Sequence, residues 1–433
     1  MKAVRLSGLS AAAGAQTETP KLELCEVERP SRKTAAEVLV RVLCVGLDGT
    51  DRELVSEKYG VPPEGEHSLI IGHESLGVVE EAGEDSGFTA GELVCALVRR
   101  PCTDPGCVNC RNGKQDFCET GEYVERGIKG AHGYLSEYYV EDARYLVRVP
   151  AGLLRYGMLT EPQSIVEKVW DEVQRIQQRL VWQPTTAVVL GSGPLGLLAA
   201  LTCRCLGLDT LVWSKSAPDS PGADIVRACG AEFQQAVERR AEAAGAGAAA
   251  GTARSTDAAA ATGTVAGAGE GTGAGDGARA ASSPLSELLQ AKGKRADLIV
   301  ECTGFSPLAF DAMTALGPNG VLALLGVTPG SRHIRVASDA INQELVLENK
   351  CVFGSVNASR QDFETGLYRL QQIEERFPGV LDRLMTERLT LERVPELDFG
   401  KIAIKAVVDV IPREQWSGLV QEQGAGIANS FSV

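Results

Sequence analysis

No apolar run in the sequence is long enough to span a membrane: the most apolar stretch, residues 195–212, is broken by Arg204 and Asp209. The first twenty residues lack a charged start followed by a continuous apolar core, so no secretory signal is expected. Positive charge is in deficit, with 43 Lys and Arg against 57 Asp and Glu and a formal net charge of −14. That balance argues against nucleic acid or an anionic membrane surface as a partner. Histidine is scarce, limited to His67, His73, His132 and His333. What remains is ordinary globular material, 44% hydrophobic and 23% charged over 433 residues. It suffices for two or three domains of about 150 residues each, and a wholly disordered chain is excluded.

Residues 36–46 alternate as a strand does, and residues 69–79 and 92–98 read the same way. The first 150 residues are therefore expected to be mostly β. From Glu161 the pattern changes. Ile165, Val169, Val173, Ile176 and Leu180 recur at steps of three and four and predict a helix over 162–180. Strands are then expected at 186–190, 211–213, 298–302 and 321–327, with helices from about Leu195 and over 308–316. Such alternation predicts a doubly wound parallel sheet. A further strand is expected at 402–410. Residues 241–281, dominated by Ala and Gly with ten glycines, read as a disordered insertion.

Four of the twelve cysteines form Cys102-x4-Cys107-x2-Cys110-x7-Cys118. One tight cluster in a large chain points to metal rather than to a disulfide framework, and to a reducing, cytoplasmic setting. Four thiolates on a short lobe suit a closed, structural zinc site.

The turn after strand 186–190 places Gly191, Gly193 and Gly196 in G-x-G-x-x-G spacing, between a strand and a helix. There the first glycine allows a tight turn, the second admits a pyrophosphate and the third packs helix on strand. Gly191, Ser192, Gly193, Pro194, Leu195 and Gly196 are expected to bind the dinucleotide, with Thr303 joining them. An NAD site usually carries an acid at the end of the second strand. Here that position reads Trp213-Ser214-Lys215-Ser216, with no acid before Asp219. Ser214, Lys215 and Ser216 suit a 2′-phosphate, so NADP is favoured, with NAD as the alternative; a plainly solvated Lys215 is the bland reading.

His73 lies in Gly72-His73-Glu74 after an apolar run. Alone it is an ordinary hydrogen-bonder. Asp48, beside Thr50 at the end of a strand, and Glu161, where the two kinds of pattern meet, give it the company that a catalytic zinc with about three protein ligands needs.

Taken in order, GHE-x2-G-x5-G, the four-cysteine lobe and G-x-G-x-x-G resemble the zinc-dependent medium-chain dehydrogenase/reductase superfamily. VGLDGTDREL, RNGKQDFCETGEYVERGI, GAHGYLSEYY, LTEPQSIVEK and ENKCVFGSVNAS resemble its archaeal-type glucose 1-dehydrogenases. The resemblance implies a β-rich GroES-like catalytic domain over 1–164, with a zinc lobe at 99–122. It implies a Rossmann domain over 165–357, then a return to the catalytic domain and a tail over 358–433. It further implies two zincs: a structural one on Cys102, Cys107, Cys110 and Cys118, and a catalytic one near Asp48, His73, Glu74 and Glu161. Thr50 would relay a proton, and Thr50, Glu125, Glu161 and Asn357 would meet the sugar. Asp48 departs from most of the superfamily, which has Cys there. The implied reaction is oxidation of the C1 hydroxyl of glucose or a related aldose to the lactone, by a homo-oligomer, dimer or tetramer. A polyol or alcohol dehydrogenase on the same machinery, and a non-catalytic NADPH-binding protein, are the rival readings.

Overall fold

The computed structural model describes residues 1–9, 20–57, 60–236, 283–327 and 330–420. The Ala/Gly-rich segment 241–281 lies outside the described residues, as does the chain from residue 421.

Short apolar runs buried on both faces make parallel strands. Thr186–Leu190 is such a run, buried throughout, and it lies in a six-stranded sheet in which every pair is parallel. Across that sheet the order is Glu232–Gln235, Asp209–Ser214, Thr186–Leu190, Ala296–Glu301, Leu316–Leu324 and Cys351–Gly354. Ranked by sequence this is 3-2-1-4-5-6, the doubly wound order whose ligand crevice opens at the carboxyl ends of the central strands. The expected α/β half is borne out, with shifted edges. The strand expected over 321–327 runs from Leu316 to Leu324, and the helix before it is Ser306–Ala315.

The earlier half is built on Glu37–Leu47, an eleven-residue strand buried along most of its length. It pairs antiparallel with Glu74–Ala82, Tyr138–Asp142 and Lys405–Asp409. Leu93–Ala96 and Leu146–Arg148 extend this seven-stranded sheet on one side, and Met385–Thr390 on the other. Two of its strands thus come from the far end of the chain. The strand expected over 69–79 is in fact two, Ser68–Ile70 and Glu74–Ala82. They part at Gly72, whose φ of +85° is open to glycine without steric cost. The Gly72 N–H donates to Asp51 Oδ1 at 3.1 Å instead of to a strand neighbour. A nine-residue helix, Gly49–Glu57, is an addition to the β-rich reading.

Helix Thr160–Gln177 joins the halves and ends three residues short of its expected limit. Its Val166, Val169 and Val173 belong to one apolar cluster with Leu43 and Leu76 of the mixed sheet and Val189 and Leu197 of the parallel half. The two sheets therefore share a core across this helix. Helix Arg360–Arg376 packs beside it: Arg369 Nε donates to Glu167 Oε1 at 3.0 Å. A capping box of Ser359 and Asp362 fixes where that helix starts, directly after Asn357 and Ala358. Among the described residues no helix is long and apolar enough to cross a membrane.

Candidate active site

At the end of Glu37–Leu47 the chain turns into helix Gly49–Glu57, and Asp48 caps the turn. Its Oδ1 accepts the Thr50 N–H at 2.8 Å and the Asp51 N–H at 3.2 Å. The Thr50 hydroxyl donates to Asp48 Oδ2 at 3.3 Å. The Gly72 turn then brings His73 alongside. Its Nε2 is 3.8 Å from Asp48 Oδ2, and its Nδ1 is 3.8 Å from Asp51 Oδ2. Glu74 opens the next strand opposite Gly46. A Cβ on Gly46 would come within 2.0 Å of Glu74 Oε2 and 2.9 Å of Lys405 Cε. Glycine is thus what lets the Glu74 carboxylate and the Lys405 ammonium pair inside the sheet.

Asp48, His73 and Glu74 offer ligand atoms that all lie within 4.8 Å of one another. Glu161, at the start of the joining helix, lines the same cavity but stands outside that group. Burial pushes the Asp51 carboxyl up to about 7 and that of Glu161 up to about 8, against the pull of the His73 charge. Burial alone would lower the His73 imidazole, but Asp48 and Asp51, with Glu161 and Glu74 behind them, carry it up to about 9. Burial raises Glu74 as well, although Lys405 opposes it. Four carboxylates therefore face one imidazole and one ammonium, and Glu74 Oε1 has no hydrogen-bond partner among the described residues. A nitrogen and several oxygens gathered under surplus negative charge fit a divalent zinc.

The four cysteines meet as well. The Sγ atoms of Cys102, Cys107, Cys110 and Cys118 lie within 4.8 Å of one another. A helical turn, Val108–Arg111, sets the spacing of Cys107 and Cys110, and Asn109 Nδ2 closes the lobe by donating to the Phe117 carbonyl at 2.9 Å. Burial pushes the Cys110 thiol up to about 12. Burial works against Cys118 too, yet the Thr120 hydroxyl and nearby N–H groups bring it down to about 6. A four-sulfur set of this kind suits a closed zinc site.

The glycine-rich turn has the clearances that a dinucleotide needs. Gly191 has a φ of +105°, a Cβ on Gly196 would meet Gly191 O at 2.3 Å, and a Cβ on Gly193 would meet nothing within 4 Å. Gly193, Pro194, Leu195, Gly196 and Thr303 line a cavity of about 760 Å³ together with Asp48, Thr50, His73, Glu74 and Glu161. Ser192, Ser214, Lys215 and Ser216 are not part of that lining. The Ser192 hydroxyl lies 2.8 Å from that of Ser214 and 3.0 Å from that of Ser216. Lys215 Nζ stands 4.8 Å from the centre of the Phe305 ring, and the Arg332 guanidinium 5.0 Å from the same ring.

Glu125 and Asn357 line the cavity too. Glu125 Oε1 accepts from Asn357 Nδ2 at 3.0 Å and from Arg99 Nε and Nη2 at 3.0 and 2.9 Å. Sequence reasoning missed Arg99, Asp51 and Lys405. Only Asp51 left a local signal, three residues after Asp48 in a turn that could be capped.

Residues 34–151 match the alcohol dehydrogenase GroES-like domain family, and residues 154–265 and 277–410 match the family described as glucose dehydrogenase C-terminus. Glucose 1-dehydrogenase of Methanocella arvoryzae is 40% identical over 405 residues, 93% of this chain and 99% of that one. Glucose 1-dehydrogenase 1 of Caldivirga maquilingensis is 35% identical, covering 90% of this chain and 96% of that one. Among solved structures, Haloferax mediterranei glucose dehydrogenase in complex with NADP, Zn and gluconolactone superposes with a TM-score of 0.76 at 29% identity. That match covers 95% of this chain and 100% of the other.

Proposed function

The chain belongs to the glucose dehydrogenase family of the zinc-dependent medium-chain dehydrogenases, and from that premise we propose that it oxidises the C1 hydroxyl of D-glucose, or of a related aldose, to the lactone. Hydride passes to NADP+, with NAD+ as the alternative acceptor. The observation that carries this reading is the placement of Glu125 and Asn357 in the same cavity as Asp48, His73 and Glu74. Acceptors for several hydroxyls beside a metal-type donor set suit a polyhydroxylated substrate, and buried polar groups of this kind discriminate against analogues that lack the hydroxyls. A simple alcohol dehydrogenase would leave that pair without a purpose, whereas a polyol is the alternative substrate on the same machinery.

Asp48, His73 and Glu74, with Glu161 beside them, would hold the catalytic zinc, and Cys102, Cys107, Cys110 and Cys118 the structural one. Bound in the cavity, zinc supplies Lewis-acid stabilisation of developing charge on oxygen. Thr50 Oγ1 would take the proton of the reacting hydroxyl while giving up its own, which in this structure points to Asp48 Oδ2. The turn from Gly191 to Gly196, which leads into helix Pro194–Cys205, would hold the pyrophosphate, and Thr303 would join it. Ser214, Lys215 and Ser216 receive the 2′-phosphate, a group that charge-assisted hydrogen bonds hold well. Residues 1–164 and 358–433 act as the catalytic unit, and 165–357 as the dinucleotide unit.

All twelve cysteines are free, which supports a cytoplasmic setting. Val346 and Leu347, 68% and 70% exposed on a helix next to the edge strand Cys351–Gly354, support a homo-oligomer.

The test is the rate of NADP+ and NAD+ reduction with D-glucose, D-galactose, D-xylose, sorbitol and ethanol, before and after chelation. Chelator-sensitive NADP+ reduction on glucose, with sorbitol and ethanol silent, is the expected result. Turnover on ethanol or sorbitol alone would remove the sugar assignment. NADPH binding without turnover on any of them would make the protein a non-catalytic binder.

A further inference from the structure

A closed ring of contacts ties the hydroxyl-accepting end of the cavity to the cysteine lobe, through three side chains, those of Arg99, Asp116 and Lys168, that the proposed reaction does not use. Glu125 Oε1 accepts from Arg99 and from Asn357. Arg99 Nη1 donates onward to the carbonyl of Asp116 at 3.1 Å, inside the lobe and two residues before Cys118. The other end of Asp116, Oδ2, lies 2.8 Å from Lys168 Nζ. Lys168 stands on the helix that joins the two halves of the protein. Its ammonium donates at 3.0 Å to the carbonyl of Val356, the residue before Asn357, and there the ring closes.

Arg99, Asp116, Glu125, Lys168 and Asn357 are all buried. Charges removed from water in this way cost free energy unless each finds a partner, and their chief return is a fixed geometry. Asp116 is gripped at both its carbonyl and its carboxylate, so a displacement of the lobe displaces Arg99 and Lys168 together. Asn357 is held on its own backbone as well: its φ is +60°, and its Oδ1 accepts the Ala358 N–H at 2.9 Å. Glu125 Oε2 accepts no hydrogen bond among the described residues, which leaves it as the acceptor for a substrate hydroxyl.

We infer that Asp116 and Lys168 are positioning residues through which the folded cysteine lobe sets Glu125 and Asn357 for the sugar. The inference rests on the reading that Glu125 and Asn357 meet substrate hydroxyls. On this account the lobe is part of the specificity apparatus, and loosening it costs sugar affinity before it costs catalysis or cofactor binding.

The test compares the zinc-loaded enzyme with Lys168→Met, Asp116→Asn, Glu125→Gln and the double variant Lys168→Met/Glu125→Gln. Readouts are the KM for D-glucose, the KM for NADP+, kcat and the thermal midpoint. Lys168→Met is expected to raise the glucose KM about tenfold, the scale of one charge-assisted hydrogen bond. Its kcat and NADP+ KM should stay within about twofold of the parent. On the Glu125→Gln background the same substitution should add little, because both act through one carboxylate. Should Lys168→Met fail to fold, Asp116→Asn carries the same test, since it is isosteric and keeps the carbonyl that Arg99 uses. Loss spread evenly over kcat and both KM values, or full additivity in the double variant, would reduce the ring to packing and overturn the inference. If Glu125→Gln raises the glucose KM while neither Lys168→Met nor Asp116→Asn does, the positioning role falls and the sugar assignment stands. If Glu125→Gln leaves the glucose KM unchanged, both fall.

Discussion

Lys405 buries its ammonium against the carboxylate of Glu74, with side-chain exposures of 1% and 0%. Neither charge has water to turn to, so removing one strands the other. Lys405→Met is therefore expected to destabilise the protein by about 3 kcal/mol or more, as breaking a buried pair does. Glu74→Gln/Lys405→Met, which leaves no stranded charge, should recover most of that loss. Denaturant unfolding of the two variants and the parent measures both numbers. A double variant no better than the single one would show that the pair is not the source of the stability.

The carboxylates around His73 make the stripped protein sensitive to pH in one direction. Folding raises Asp51 from 3.8 to about 7, Glu161 from 4.5 to about 8, and His73 from 6.5 to about 9. In each case the folded state holds a proton that the unfolded chain has released, so stability present at low pH is lost as pH rises through the window. Asp48 shifts the other way, below 3.8, and so titrates beneath that window. Scanning calorimetry of chelated protein should show the melting temperature falling from pH 5 to pH 9. The gap to zinc-loaded protein should widen over the same range, because a cation takes over from the lost protons. A gap that is constant or narrows with pH would contradict this.

His73→Ala removes the one nitrogen in the donor set of Asp48, His73 and Glu74. Turnover is expected to fall by at least about a thousandfold, the scale of losing Lewis-acid assistance. NADPH binding, followed by fluorescence titration, should be unchanged, since the glycine-rich turn lies on a different sheet. Retained turnover would mean that His73 is not a metal ligand.

Lys215→Ala should raise the KM for NADP+ about tenfold and alter that for NAD+ by less than about twofold, since only the former carries the extra phosphate. The loss should shrink at high salt as screening weakens the wild-type contact. Equal effects on both cofactors would assign Lys215 to packing on Phe305.

The motifs that were legible in the sequence are those whose geometry is local. The run from Gly191 to Gly196, the four cysteines and Gly72-His73-Glu74 each place their groups through a single turn or a few residues of backbone, so spacing alone carries the information. Four of the parallel strands followed from apolar runs separated by helical ones, whereas the edge strands Glu232–Gln235 and Cys351–Gly354, short and only partly buried, did not. Lys405 was illegible because it reaches Glu74 only through strand pairing with Glu37–Leu47, a register that no local pattern specifies. Arg99 is one more charged residue until Glu125 and Asp116 are seen beside it. The break between Ser68–Ile70 and Glu74–Ala82 was hidden for a related reason. Leu69–Ile71 before it and Leu76–Val79 after it fall in one strand-like stretch, and it is a side chain from elsewhere, Asp51, that claims the Gly72 N–H.

The pairing of Lys405–Asp409 with Glu37–Leu47 also separates the order of synthesis from the order of completion. A ribosome delivers every strand of the six-stranded parallel sheet, the last being Cys351–Gly354, before it delivers the strand that gives the earlier sheet its Lys405. The half that emerges first is thus finished last. Until Lys405–Asp409 has left the exit tunnel, Glu74 lacks its buried ammonium partner, and the nascent protein holds a parallel sheet beside an unfinished mixed one.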